Sequence, residues 1–309
     1  MKRTFVTALL STLFLLPAAA MAEPIQEFNV QIKDIKPGGE YTIVFTANSY
    51  DTTGEQSPLV TDNIFRFAGG VKIRPEFLTK DYQCPVDDVR AALLTPDGAL
   101  TYTPRLRNLA ATLKRTRKRL DPKVAKGVET CARSQVGEGN VIADVRPSLK
   151  DPVAANFFVY LAKPKSKRAA AAFTVLIVLD EGGRLYKESA TLRTFRLALT
   201  IEMFDEPSAD GRYGYRVVLP GGGAGGVRAS VAELRVTTPG LSQIKKTVTC
   251  LKKKKGKCVK KKVSSEKIFW LTQPTCPASG LLSFESFYKY ETGQETTKNV
   301  ELPCPRFQL

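Results

Sequence analysis

Apolar and polar residues alternate along most of this chain, and the alternation predicts strands. Phe28, Val30 and Ile32 alternate with Asn29, Gln31 and Lys33, and Pro37-Gly38-Gly39 turns the chain into a second run over 41–47. The most regular run covers 193–203. There Phe195, Leu197, Leu199, Ile201 and Met203 face one way, and Thr194, Arg196, Ala198, Thr200 and Glu202 face the other. Period two over that length describes a strand with one face on a core. Segment 173–179 is apolar at every position except Thr174, the pattern of a central strand covered on both faces. Glu181-Gly182-Gly183 then predicts a turn into another strand over 184–191. Further strands are expected at 136–145, 156–162, 213–219, 227–237, 263–272, 281–290 and 295–302. Short strands broken by Gly and Pro turns predict an all-β fold. We read it as two antiparallel β-sandwich (Ig-like) lobes, 23–163 and 164–309.

One region departs from period two. Residues 85–94 suit a short helix, and 104–120 carries Leu106, Leu109, Leu113 and Leu120 on one helical face, with Pro104 near its first turn. The other face holds Arg105, Arg107, Lys114, Arg115, Arg117, Lys118 and Arg119. This gives a helical insertion over 85–130 on a β scaffold. Its leucines are expected to pack on the sheet, and four leucines without an aromatic make a poor membrane-insertion face.

The first 22 residues read as an export signal. Lys2 and Arg3 precede an apolar run over 5–16, Pro17 breaks it, and Ala20-Met21-Ala22 is a small-x-small cleavage site. The run is too short to span a bilayer, and no later apolar stretch is long enough. We therefore expect a secreted or periplasmic, cell-envelope protein that starts near Glu23, with no lipid-accepting cysteine at the cleavage site and no sorting signal at the end. Six cysteines in an exported chain predict three disulfides, with 15 possible pairings. Cys250 and Cys258 flank a Lys-Gly turn and suit neighbouring strands of a hairpin. Cys276 and Cys304 bracket the last two strands, which leaves Cys84 to Cys131.

Charge is concentrated. Without Lys2 and Arg3 the chain holds 45 basic against 30 acidic residues. Ten lysines, Lys245, Lys246, Lys252, Lys253, Lys254, Lys255, Lys257, Lys260, Lys261 and Lys262, lie in 245–262 with no acidic residue among them. With the seven basic residues of 105–119 they exceed the whole positive excess of 15. A Cys250–Cys258 clamp would hold the lysines as a cationic finger able to release counterions from a polyanion. No aromatic residue is interleaved, so base stacking and sequence-specific nucleic-acid readout are not expected. The simpler account is a solvated hairpin that blocks edge-to-edge association.

A resemblance appears in the cysteine-flanked segments. Cys131-Ala-Arg-Ser134-Gln-Val136-Gly137-Glu-Gly139 resembles the Cys-x-x-Ser-x-hydrophobic-Gly-x-Gly segment of uncharacterised secreted actinobacterial disulfide-containing β-sandwich proteins. Val159-Tyr160-Leu161, Ala171-Ala172-Phe173, Leu199-Thr200-Ile201 and Thr275-Cys276-Pro277 through Gly280 to Pro303-Cys304 follow in a similar order, so the likeness covers 60–309 in outline. It implies a sandwich and disulfides and no activity. The lysine run departs from it.

Candidate chemistry is sparse. There is no histidine, which removes Ser-His-Asp and Cys-His catalysis, imidazole metal ligation and histidine pH switching. With no Cys-x-x-Cys either, no metal or other cofactor is expected. Gly221-Gly-Gly-Ala-Gly-Gly226 lacks the Gly-Lys-Ser/Thr ending of a phosphate loop. Ser242-Gln-Ile-Lys245 and Ser264-Ser-Glu-Lys267 fit Ser-x-x-Lys without the other acyl-transfer elements. Asp205, Glu206 and Asp210, and Asp51 with Glu55, suit turns whose carboxylates cap backbone amides, with calcium as the alternative. Trp270 lies in the apolar run Ile268-Phe269-Trp270-Leu271, which argues for core rather than a sugar platform. Three function classes follow. The first is a non-enzymatic envelope structural or binding protein. The second is a module for an anionic wall polymer, lipopolysaccharide or nucleic acid. The third is a carboxylate-based glycan hydrolase.

Overall fold

A computed structural model describes residues 23–36, 40–52, 57–85, 122–145, 151–180, 182–188, 196–219, 230–238, 242–254, 257–272 and 276–305. The expected export signal, most of the helical insertion including 104–120, and the glycine run at 221–226 lie outside them. The described residues are mostly strand, as the alternation predicts. In chain order they are β1 (Pro24–Lys36), β2 (Glu40–Asp51), β3 (Val60–Ala68), β4 (Lys72–Ile73), β5 (Gln135–Asp144), β6 (Val153–Ala162), β7 (Ala169–Leu179), β8 (Arg196–Asp205), β9 (Tyr213–Leu219), β10 (Ser230–Thr238), β11 (Ser242–Lys254), β12 (Lys257–Phe269), β13 (Leu271–Thr272), β14 (Leu281–Tyr290) and β15 (Glu295–Pro303). The helices are α1 (Pro122–Arg133) and α2 (Arg184–Glu188), with a single 3-10 turn at Pro75–Leu78.

Eleven strands form one antiparallel sheet in the order β1-β2-β10-β5-β6-β7-β8-β9-β3-β14-β15. Both segments read as lobes contribute to it, since β10 lies between β2 and β5, and β3 between β9 and β14. Register shifts interrupt the β5–β10, β5–β6, β7–β8 and β3–β9 ladders. Such bulges add twist and bend. Gly139 permits the closest approach: a Cβ there would sit 1.8 Å from the Arg235 carbonyl oxygen and 2.6 Å from the Phe157 ring. The sheet curls into a half-barrel and its two end strands come together.

Side chains join those ends. Buried Gln26 on β1 donates through Nε2 to Ser286 Oγ at 2.6 Å and accepts from Thr296 Oγ1 at 2.8 Å. Nearby, Ser49 Oγ lies 2.8 Å from Ser57 Oγ and 2.9 Å from the Tyr290 hydroxyl, all three residues buried. These hydrogen bonds satisfy Gln26, Ser49 and Tyr290 within the seam.

β7 has the two-sided burial its composition predicts. Phe173 and Val175 face the interior of the curl, while Thr174 and Leu176 are buried on the opposite face. Helix α1 packs beside β6, with Ala125, Val128 and Cys131 buried along one face and Pro122 opening its first turn. The Cys84–Cys131 disulfide fixes its end, and Leu161 of β6 exchanges backbone bonds with both Cys84 and Ser134. The Cys250–Cys258 and Cys276–Cys304 bridges are also present, so all three expected pairings occur. Three disulfides suit an oxidising compartment.

One expected strand is a helix. Residues 184–188 form α2, and 189–195 lie outside the described residues. The segment Arg-Leu-Tyr-Lys-Glu contains no β-branched residue, and Arg184 pairs with both Glu188 one turn ahead and Asp151. Asp180 starts the turn by accepting the Gly182 amide. Local helix preference therefore prevails over this segment.

Candidate functional site

The described residues of the curled sheet surround an apolar space. A cavity of about 210 Å³ lies against the inward faces of β2, β3 and β5 to β9. Val159, Val175 and Leu199 are direct cross-strand neighbours on β6, β7 and β8 and form its wall. Phe45, Phe65 and Phe157 contribute rings from β2, β3 and β6. Trp270, which directly follows β12, is buried and meets the Phe173 ring edge-on at 6.0 Å between centroids. Trp270 thus belongs to the core, as its apolar neighbours in sequence indicate.

The lining is apolar almost throughout. Among the described lining residues, only Tyr215 and Trp270 carry a side-chain nitrogen or oxygen. Loss of solvation raises the pKa of the Tyr215 hydroxyl, so it stays neutral at physiological pH. Among the described residues no carboxylate, amine or thiol lines the space, and these residues offer dispersion contact rather than acid–base chemistry. An engineered protein cavity of about 150 Å³ with a similar lining stays dry and accepts benzene.

The lysine-rich segment forms a hairpin apart from this sheet. β11 and β12 pair as their own two-stranded sheet, with Val248 opposite Val263, Cys250 opposite Lys261 and Lys254 opposite Lys257. The Cys250–Cys258 bridge staples it, with Cα atoms 5.8 Å apart. Lys252 and Lys262 are exposed. Lys245, Lys246, Lys253, Lys254, Lys257, Lys260 and Lys261 lie on the two strands, and Lys255 falls outside the described residues. Arg115, Arg117, Lys118 and Arg119 also fall outside them. Three large apolar residues, Val248, Leu251 and Val263, are exposed on this same hairpin at 57%, 54% and 59%. The charge pattern of 245–262 concealed them, because they are scattered singly among the lysines in sequence.

The acidic candidates serve the turn after β8. Asp210 accepts from Ser208 Oγ at 2.6 Å and from the Arg212 amide at 3.0 Å, which lowers its pKa, and Gly211 follows at φ +70°. Glu206 pairs with Arg216 at 2.5 Å and with Arg66 at 3.6 Å. Asp51 ends β2 opposite Pro24, and Glu55 lies outside the described residues. Among the described residues no group of three or more His, Cys, Asp and Glu could hold a metal ion. Ser242 and Ser264 both lie on strands of the hairpin, without the helix start that Ser-x-x-Lys chemistry needs. No helix among the described residues is long and apolar enough to cross a membrane.

Comparison with protein-family models, curated proteins and solved structures gave no match.

Proposed function

We propose that this protein is an exported, non-enzymatic binding protein that holds one hydrocarbon chain inside its half-barrel. The observation that carries this reading is the cavity of about 210 Å³ with its almost wholly apolar lining. Small-molecule pockets run from about 300 to 1,000 Å³. The smaller space therefore suits a single acyl or alkyl chain better than a multi-chain lipid or a ring system. The leader read at 1–22 and the three disulfides support an envelope location. The hydrolase alternative requires two carboxylates converging on a cleft, and no carboxylate is among the described residues that line this cavity.

Fluorescence titration of the oxidised protein with cis-parinaric acid, followed by competition with decanoate and hexadecanoate, tests the proposal. Saturable one-to-one binding, displaced by the unlabelled chains, is expected. No saturable binding below the solubility limit of the probe would reduce the cavity to a packing defect.

A further inference from the structure

We propose that the β11–β12 hairpin is a docking finger for an anionic lipid bilayer, with lysines at the phosphates and Val248, Leu251 and Val263 in the acyl boundary. The inference stands on the hairpin alone and does not require the cavity to hold a ligand. Two kinds of surface coincide there. From 245 to 262 the sequence carries ten lysines and no acidic residue. The same stretch presents three aliphatic side chains to solvent, each more than half exposed. Val248 and Val263 are opposite one another in the ladder, so their side chains share a face. Leu251 sits where the register shifts, beside the Cys250–Cys258 staple.

A soluble polyanion would satisfy the lysines and leave the aliphatic groups in water. A bilayer surface accommodates both, because an interfacial element places cations at the headgroups and apolar side chains just beneath them. The anionic requirement follows from charge: each lysine near a negatively charged leaflet contributes about fivefold to partitioning. The staple matters for the same reason, since it keeps mutually repelling lysines on a narrow ribbon. β12 leads directly into Trp270 and Leu271, both in the cavity wall. A docked finger would therefore tether the half-barrel close to the lipid surface.

Co-sedimentation of the full oxidised chain with vesicles tests this. One set contains phosphatidylcholine alone and the other about one-third phosphatidylglycerol. At least about 100-fold tighter binding to the anionic set is expected, falling steeply between about 0.05 and 0.5 M salt. The K252Q/K253Q/K254Q/K255Q variant should lose about 100-fold or more. The V248S/L251S/V263S variant should lose about tenfold or more on vesicles yet elute from heparin at the parent's salt concentration. Should that variant not fold, L251W provides the same decision: its emission shifts to the blue with anionic vesicles and not with heparin. Parental vesicle binding by the serine variant, or retention on heparin without vesicle binding, overturns the proposal in favour of a soluble polyanion.

Discussion

Filling the cavity from within separates a binding site from a packing fault. Val175 lies mid-strand on β7, between Val159 and Leu199, with its side chain in the cavity wall. V175F adds four carbons at a place where the interior has room. In an ordinary close-packed core such an enlargement destabilises by about 1–3 kcal/mol. Here the opposite sign is expected. At about 24 cal/mol per Å³ of cavity, 210 Å³ corresponds to about 5 kcal/mol, the most that perfect filling could return. The four added carbons, at about 0.8 kcal/mol each, set a ceiling near 3 kcal/mol, and imperfect rotamers reduce the gain to about 1–2 kcal/mol. For a domain of this size that raises Tm by about 2–6 °C. The variant should also bind cis-parinaric acid at least tenfold more weakly, because the ring occupies the ligand's space. Calorimetry and the fluorescence titration read the two effects in one preparation. A fall in Tm with unaltered binding would refute the reasoning, since it would show that position 175 was already packed and that ligand enters elsewhere.

Three further outcomes follow from the fold. G139A should destabilise by about 3 kcal/mol or more in urea unfolding, because the added methyl meets the Arg235 carbonyl at 1.8 Å; a change below about 1 kcal/mol would mean that β5 and β10 are not this close. C84A/C131A, which opens a 47-residue separation, should lower global stability by about 4 kcal/mol, whereas C250A/C258A should leave the main melting transition nearly unmoved and fray only the separate hairpin; equal shifts in Tm would contradict the topology. Burial raises the hydroxyl pKa values of Tyr160 and Tyr288 far above the ordinary 10.0, so the folded state keeps them neutral while the unfolded chain ionises. Stability is then full below about pH 10 and declines above it by up to about 1.4 kcal/mol per pH unit for each tyrosine, and Y160F and Y288F should flatten that decline in urea titrations between about pH 9 and pH 11.

The legibility of this chain ended where local patterns ended. Strands at 213–219 and 281–290 coincide with β9 and β14, since alternation and flanking turns are local properties. The cysteine pairings were readable because two of them bracket single hairpins, leaving one choice for the remainder. Strand order was not. β10 reaches β2 and β5 across roughly the length of a domain, and nothing in its own pattern names those partners. Helix α1 was hidden for a different reason. Its buried positions Ala125, Val128 and Cys131 repeat at helical spacing behind Pro122, but small residues make a faint stripe beside the leucines of 104–120. The cavity left no sequence trace at all. Most of its lining residues are ordinary inward-facing strand residues, and the space reflects the curvature of the sheet against the volume those residues fill.

That difference bears on function. Protein interiors pack to near-crystalline density, and a void of about 210 Å³ forfeits contacts on every wall it touches. A handful of single-residue enlargements on β5, β6, β7 or β9 would fill it without disturbing the alternation, yet Gly137, Val159, Val175 and Val217 keep the wall small. Stability is supplied at the periphery instead, by Gln26 and Tyr290 along the seam and by the Cys84–Cys131 and Cys276–Cys304 bridges. Under the proposed hydrocarbon-binding function, walls held at their periphery in this way need not collapse when the ligand leaves, and little ordering is demanded when it returns.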